Sequence, residues 1–347
     1  MRRDCPLAEL SIMADKINKT HGAGGSATSE LIDSIFREAF SNEYLEPLSD
    51  SAVLPLPAGK KLAFTTDSYV VRPIFFPGGD IGRLAVCGTV NDLLMSGADP
   101  AYITAGYVLE EGFDTDDLKK VVASMADTAK EAGVQIVTGD TKVIEPADIK
   151  EPGLLINTAG VGFIDEDIDI SPARIKPGDA VIVSGNLGDH HAAILGCRMS
   201  VKNNIVSDAA PLTQMISGLK DAGLDIHAMR DVTRGGLATI LNEFASSAGA
   251  HIRIEESSLP VSEEVKGFCG ILGLDPLYMG NEGKCVIILP DEEKEKAVEI
   301  MRKSPYGQNA SVTGSVSCGT PDVTMRTAIG GEKIVSPLYG EGLPRIC

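Results

Sequence analysis

The chain has 347 residues, of which 43% are hydrophobic and 23% charged, a balance typical of a globular protein with room for two domains. Its 31 Lys plus Arg against 49 Asp plus Glu give a formal net charge of −18, which repels nucleic acid and anionic membrane surfaces. A polyphosphate ligand would also be repelled, so nucleotide binding would require metal cations held by well-placed aspartates.

The sequence also predicts a cytoplasmic protein without membrane contact. No segment has the length of a signal-peptide core or of a membrane-spanning helix. The seven cysteines are widely scattered and include no Cys-x-x-Cys pair, so neither a disulfide framework nor a zinc site is indicated.

In chain order, helices and short strands alternate irregularly, which favours α+β domains over a doubly wound sheet. Helical spacing covers residues 31–39, 118–132 and 237–248; strands are predicted at 62–66, 102–109, 134–138, 154–161, 180–184, 285–289, 311–317 and 323–326. Two prolines and a glycine at positions 172–178 interrupt this pattern. We therefore predict a domain of residues 1–170, a second of residues 171–335, and a flexible tail of residues 336–347.

Three of the predicted strands end in an aspartate that is followed by a hydroxyl side chain. They are Asp67 before Ser68, Asp140 before Thr141, and Asp231 two residues before Thr233. One such aspartate commonly only caps a turn or a helix. Three together indicate a ligand site, because ligands bind at the carboxyl ends of strands.

A further carboxylate falls on the buried side of a predicted helix. The apolar stripe that begins at Ile81 continues by helical spacing onto Asn91 and Asp92. A buried carboxylate needs an ion pair, a proton or a metal ion. Asp80, at the start of this helix, is either its cap or another ligand.

Glycine-rich turns precede two helices, at residues 21–26 with Gly24 and Gly25, and at residues 233–236. Backbone N–H groups at such turns suit phosphate oxygens. Neither turn is a Walker A sequence or a dinucleotide fingerprint. Combined with the aspartates, they predict magnesium held by carboxylates and a triphosphate that bridges from the metal to backbone donors.

The chain ends in a thiol, Cys347, behind a segment with glycines and prolines at 336–344. Such a segment predicts a flexible tether. A thiol at its tip suggests a carrier of a covalent group; the alternative is an ordinary frayed terminus.

Together these motifs resemble the aminoimidazole ribonucleotide synthetase (PurM-like) superfamily, which includes selenophosphate synthetase and thiamine-phosphate kinase. The terminal cysteine makes the chain similar, essentially end to end, to the HypE family of hydrogenase maturation factors. The matching segments are residues 21–25, 66–69, 90–98, 139–143, 231–237, 280–283 and 344–347.

The resemblance implies a homodimer whose amino-terminal domains pair into a β-barrel with ATP bound along it. In this family a HypF-type carbamoyltransferase places a carbamoyl group on the terminal cysteine. The protein then uses ATP to dehydrate the thiocarboxamide to a thiocyanate, and passes cyanide to iron on a HypC–HypD complex for nickel-iron hydrogenase.

The resemblance also implies roles for individual residues. Magnesium ligands would be Asp67, Asp80, Asp92 and Asp231; ATP contacts would be Gly24, Gly25, Asn91, Asp140, Thr141 and Thr233; the reacting group would lie on Cys347, with Glu282 and Lys142 beside it. We favour Glu282 as the base, because burial raises the pKa of a carboxyl toward neutrality, and Lys142 as an orienting group. The alternatives are that Lys142 pairs with Asp140 or Glu145 and that Glu282 caps a turn.

Two other functions stay open at this point. One is an ATP-dependent synthetase or kinase of selenophosphate synthetase type that acts on a free small molecule. The other is a non-catalytic scaffold that docks maturation proteins. ATP turnover that depends on a carbamoylated tail would separate the predicted activity from both.

Overall fold

The computed structural model describes residues 16–22, 26–46, 51–148 and 150–338. Its helices are α1 Ser26–Leu31, a π-helical turn Ile32–Arg37, α2 Glu38–Phe40, α3 Ile81–Met95, α4 Thr115–Ala132, α5 Asp189–Arg198, α6 Thr213–Asp221, α7 Gly236–Ala248, α8 Glu263–Leu272 and α9 Lys294–Lys303. Its strands are β1 Lys60–Tyr69, β2 Phe75–Phe76, β3 Gly79–Asp80, β4 Asp99–Glu110, β5 Gln135–Ile144, β6 Leu154–Asp165, β7 Asp179–Val183, β8 Ala228–Asp231, β9 His251–Glu255, β10 Cys285–Pro290, β11 Ser311–Ser317, β12 Val323–Arg326 and β13 Glu332–Ile334.

The strands form two main sheets and one short hairpin of β2 and β3. The first sheet has the order β1-β6-β4-β5, with β4 and β5 parallel and the other pairs antiparallel. The second has the order β13-β12-β9-β11-β7-β10-β8. Among the described residues the first sheet is open, so one chain alone does not close a barrel.

Helix α3 connects the two halves of the structure. It is buried along almost its whole length, and glycines allow this close packing: a Cβ at Gly88 would collide with the hydroxyl of Tyr69 on β1. One continuous core runs from α3 and α4 through Leu212, Met215 and Ile216 to Cys285 and Ile287 on β10. Residues on α3 are therefore held firmly between the sheets.

The predicted helices and strands are found, and their mixed order confirms α+β architecture. The prediction that Asp67 and Asp140 end their strands is wrong, because β1 continues to Tyr69 and β5 to Ile144. Only Asp231 is the last residue of its strand. In the described part of the chain, no helix is long and apolar enough to cross a membrane.

Candidate active site

Two carboxylates approach each other between β1 and α3. Side chains alternate along a strand, so Thr65, Asp67 and the buried Tyr69 lie on the face of β1 that α3 covers. Thr65 Oγ1 donates to Asp92 Oδ2 on α3 at 2.9 Å. Burial raises the pKa of Asp92, the hydrogen bond from Thr65 opposes that shift, and the charge of Asp67 raises the pKa further.

Asp231 adds a third carboxylate from the second sheet. It is 8% exposed, and burial followed by the charge of Asp92 raises its pKa to about 6, while Arg230 and a hydrogen bond to Thr233 oppose the shift. Asp92 and Asp231 thus raise each other's cost of ionisation. A cation placed among these carboxylates would relieve that repulsion.

Glu282 lies beside this group, in the turn that precedes β10. It is 4% exposed, and burial raises its pKa well above the ordinary range, followed by the charges of Asp231, Asp208, Asp67 and Asp92. A buried carboxyl with a raised pKa suits an acid–base group. We call Asp67, Asp92, Asp231 and Glu282 the carboxylate half-site.

Asn91, predicted to contact ATP, has a different place in the structure. It is 2% exposed, its Nδ2 donates to Ala210 O at 3.0 Å and Glu282 O at 3.3 Å, and its Oδ1 accepts from Leu212 N at 2.9 Å. Both amide hydrogens and the oxygen are therefore used by backbone groups. In this structure the side chain of Asn91 therefore links α3 to the backbone of Ala210, Leu212 and Glu282.

Asp80 also lies apart from the other predicted metal ligands. Its Oδ1 accepts from Gly82 N at 2.7 Å and Arg83 N at 3.0 Å, which makes it the amino-terminal cap of α3. Asp92 lies twelve residues further along the same helix, a rise of about 18 Å. The capping role is observed, and the structure does not bring Asp80 into the carboxylate half-site.

A second group of predicted residues lies on β5. Asp140 Oδ1 accepts from Lys142 Nζ at 2.9 Å and from Thr141 N at 2.9 Å, and the hydrogen bond from Lys142 lowers the pKa of Asp140. The pair is mostly exposed. Gly22 packs on the same strand, since a Cβ at Gly22 would lie 2.8 Å from Val143 N. We call Asp140, Thr141 and Lys142 the β5 half-site.

A cavity of about 230 Å³ opens beside the β5 half-site. Its walls come from the helical segment 26–40 and from β4 and β5, and they include Thr28, Ile32, Phe36, Phe40, Ala105, Tyr107, Thr138, Asp140 and Thr141. The mixture of an apolar wall with a carboxylate and hydroxyls is typical of a small-molecule pocket.

The two half-sites are not brought together within one chain. In strand register, Asp67 lies opposite Thr158, whereas Asp140 lies opposite Gly106. Gly106 in turn pairs with Asn157, the partner of Ser68, so Asp140 shares the outer face of the sheet with Ser68. The edge strands β1 and β5 are three strand spacings apart, about 14 Å. Within one chain, Lys142 therefore lies on the opposite face of the first sheet from the carboxylate half-site.

The donor set fits magnesium bound together with a phosphate ligand. In the described residues, no three His, Cys, Asp or Glu side chains converge closely enough to hold a metal ion by themselves. Magnesium commonly takes one or two carboxylates plus waters and substrate phosphates rather than an all-protein cage. Buried carboxylates that repel one another, as Asp92 and Asp231 do, are suitable for such an ion.

Sequence reasoning missed Asp208 and Lys284, which flank Glu282 in space. Their side chains are 4% and 8% exposed, and Lys284 Nζ lies 3.3 Å from Asp208 Oδ2. A lysine directly before the apolar strand β10 was a usable signal for a buried charge. Asp208 gave none, because it lies in the irregular segment between α5 and α6.

The beginning of the tail is held on α7. Asn242 Nδ2 donates to Val335 O at 2.9 Å, Tyr278 Oη donates to Ser336 O at 2.9 Å, and Leu338 N donates to Thr239 Oγ1 at 3.4 Å. Thr239 also packs over the 233–236 turn, since a Cβ at Gly235 would lie 2.6 Å from its Oγ1. The predicted site residues Gly24, Gly25 and Cys347 lie outside the described residues.

Comparison with known proteins places these features in a family context. The family model for the N-terminal domain of AIR synthase related proteins matches residues 48–164 of this chain, and the model for the C-terminal domain matches residues 176–324. The carbamoyl dehydratase HypE of Cupriavidus necator is 46% identical over 341 residues, 97% of each chain. These matches confirm the predicted two-domain, PurM-like α+β fold.

Solved structures agree with that result. A crystal structure of the hydrogenase maturation protein HypE in complex with ATP matches with a TM-score of 0.90 at 46% identity, and the match covers 95% of this chain and 99% of that one. A chain from the crystal structure of a HypE–HypF complex matches with a TM-score of 0.77 at 45% identity, over 90% of this chain and all of that one.

Proposed function

Because the chain belongs to the HypE family of carbamoyl dehydratases, we propose that it dehydrates a carbamoyl group carried on Cys347 to a thiocyanate with ATP. The product would supply the cyanide ligand of the nickel-iron hydrogenase iron. The observation that carries the proposal is Glu282, a buried carboxyl beside four aspartates, whose charges raise its pKa in addition to burial. The 46% sequence identity to a carbamoyl dehydratase, over 97% of each chain, supports it.

The chemistry defines what the protein must supply. ATP transfers its γ-phosphoryl group to the amide oxygen and leaves as ADP. The C–O bond then breaks and releases phosphate, so the thiocarboxamide S–C(=O)–NH₂ loses its oxygen and two nitrogen protons to become S–C≡N. Glu282 accepts the nitrogen protons one after the other and releases them to phosphate or solvent. Its burial excludes bulk water, which would otherwise hydrolyse the activated carbon.

Magnesium, when bound, neutralises phosphate charge and lets a polyanion approach a chain of net charge −18. Asp67, Asp92 and Asp231 are the residues that would hold it. Thr65 orients Asp92 through its hydrogen bond. The β5 half-site, with the cavity lined by Asp140 and Thr141, would take the nucleotide, together with Gly24 and Gly25.

A homodimer is part of the proposal. Leu62 and Phe64 are 59% and 67% exposed on the outer face of the first sheet, and pairing two such faces would cover them. The same face carries Lys142 and Asp140. Pairing of these faces would therefore place Asp140 and Lys142 of each copy at the dimer interface.

The remaining parts of the proposal concern partners and organisation. A HypF-type carbamoyltransferase would load Cys347, consistent with the HypE–HypF complex solved for a relative. A HypC–HypD complex would receive the cyanide, in the cytoplasm. The tail of residues 336–347 would extend from two domains of residues 1–170 and 171–335.

One experiment distinguishes the proposed activity from the synthetase and scaffold alternatives. The purified chain is incubated with a HypF-type carbamoyltransferase, carbamoyl phosphate and ATP, and the mass of the Cys347 peptide is followed. Carbamoylation followed by the loss of one water is expected. A tail that stays unmodified, or one that is carbamoylated but not dehydrated while ATP is present, would refute the proposed activity.

A further inference from the structure

The carboxylate of Asp208 touches the backbone of the proposed base. Asp208 Oδ1 accepts from Glu282 N at 3.0 Å, while its Oδ2 faces Lys284 Nζ at 3.3 Å. Lys284 Nζ in turn donates to Gly283 O at 3.0 Å. The pair is thus not an isolated ion pair, because both of its members also bond the peptide groups next to Glu282.

The segment that carries Asp208 is fixed on several sides. Ser207 N donates to Pro77 O at 2.7 Å, Arg83 Nε donates to Ala209 O at 2.7 Å, and Asn91 Nδ2 donates to Ala210 O at 3.0 Å. Arg83 and Asn91 both belong to α3. The helix that contributes Asp92 to the carboxylate half-site therefore also holds the segment from which Asp208 contacts Glu282.

The packing leaves this arrangement little freedom. A Cβ at Gly283 would collide with Asp208 O, and a Cβ at Gly185 would lie 2.9 Å from Lys284 Cε. Both backbone polar groups of Glu282 are hydrogen-bonded: its N–H donates to Asp208 Oδ1, and its carbonyl oxygen accepts from Asn91 Nδ2 at 3.3 Å. Side chains that are locked by packing and by hydrogen bonds keep a reacting group in productive geometry.

We propose that Asp208 and Lys284 are positioning residues for dehydration: the buried pair holds the peptide of Glu282 so that its carboxyl faces the carbamoyl nitrogen of the tail. This inference rests on the proposed function. It assigns Asp208 no contact with substrate; the carboxylate acts through the Glu282 N–H, and Lys284 holds the carboxylate in place. Displacing a catalytic group by about 1 Å can cost on the order of 100-fold in rate.

The test separates the hydrogen bond from the charge. In Asp208→Leu/Lys284→Met both charges are replaced by apolar groups, a change that buried pairs often tolerate, and the acceptor for Glu282 N–H is lost. In Asp208→Asn/Lys284→Met the charges are also removed, but an amide oxygen remains to accept that bond. The control, Asp99→Asn/Lys220→Met, removes an ion pair of 2.5 Å that lies away from the site.

Each full-length variant is first carbamoylated, and the conversion of the Cys347 peptide to thiocyanate is then timed over a range of ATP concentrations. We expect Asp208→Leu/Lys284→Met to slow dehydration about 10- to 100-fold at an unchanged KM for ATP and unchanged carbamoylation. Asp208→Asn/Lys284→Met should recover most of the rate, and the control should match the wild type.

Equal rates for the wild type and the Leu variant would overturn the proposal, as would a loss in the Asn variant as large as that of Glu282→Gln. If the Leu variant fails to fold, Asp208→Ala/Lys284→Met replaces it, because the smaller alanine also removes the acceptor for the Glu282 N–H; a wild-type rate there would also overturn the proposal. Failure of the wild type itself to form thiocyanate would instead refute the proposed function.

Discussion

Replacing Asp231 by asparagine should stabilise the metal-free protein while removing a magnesium ligand. Burial, followed by the charge of Asp92, raises the pKa of Asp231 from 3.8 to about 6. The folded protein therefore binds this proton more tightly than the unfolded chain. Asparagine is a neutral side chain of the same shape, and its oxygen can still accept the hydrogen bond from Thr233.

The sign and size follow from that pKa. Because the folded pKa is raised, the stabilising contribution of the proton is complete below pH 3.8 and is lost as the pH rises through about 6. A shift of about two pKa units corresponds to about 3 kcal/mol. Asp231→Asn should thus differ little from the wild type near pH 4 and exceed it by up to about 3 kcal/mol at pH 8.

Urea unfolding with a chelator present, at a series of pH values, measures this difference. Asp165→Asn is the matched control, since the hydrogen bond from Lys60 lowers the pKa of Asp165 and its removal should not stabilise the protein at pH 8. Adding magnesium and ATP should then raise the stability of the wild type more than that of Asp231→Asn.

Two results would refute this reasoning. If Asp231→Asn is no more stable than the wild type at pH 8, the ionised carboxylate of Asp231 does not destabilise the folded protein. If magnesium and ATP stabilise both proteins equally, Asp231 has no part in binding them.

The other predictions concern the tail and the metal. Cys347→Ser should fold and bind nucleotide but remain unmodified in the carbamoylation assay, whereas Cys318→Ser should behave as the wild type; a cyanated Cys347→Ser product would contradict the carrier role. Asp92→Asn should weaken magnesium-dependent ATP binding in calorimetry far more than Asp165→Asn, and equal affinities would give Asp92 a structural role. Trypsin cleavage at Arg345 should slow after carbamoylation with ATP bound, because only differential binding can shift the tail inward; unchanged cleavage would exclude such gating.

The sequence was sufficient to predict the elements and most of the carboxylate half-site. Asp92 was found because helical spacing placed it on the buried stripe of α3. Asp67 and Asp231 were found through a strand-end argument that holds only for Asp231. Asp67 lies within β1, and it reaches the half-site because its strand face is the one covered by α3.

Other features could not be obtained from local patterns. Asn91 and Asp92 are adjacent polar residues. The hydrogen-bonding groups of the Asn91 side chain are all used by backbone partners from residues 210, 212 and 282, which are far away in sequence. Whether Asp80 caps α3 or binds a metal ion depends on where the other carboxylates lie in three dimensions, and they lie near the far end of α3. The separation of Lys142 from Glu282 follows from strand register, since a shift of one residue exchanges the two faces of a sheet.

The charges around Glu282 link its chemistry to loading of the site. The neighbours that raise its pKa include Asp231, Asp67 and Asp92, which are also the proposed magnesium ligands. A cation bound to them would cancel part of their field and so lower the pKa of Glu282. On the proposed function, the acidic composition therefore does more than require magnesium for ATP binding, because the carboxylates that would hold the metal also raise the pKa of the proposed base.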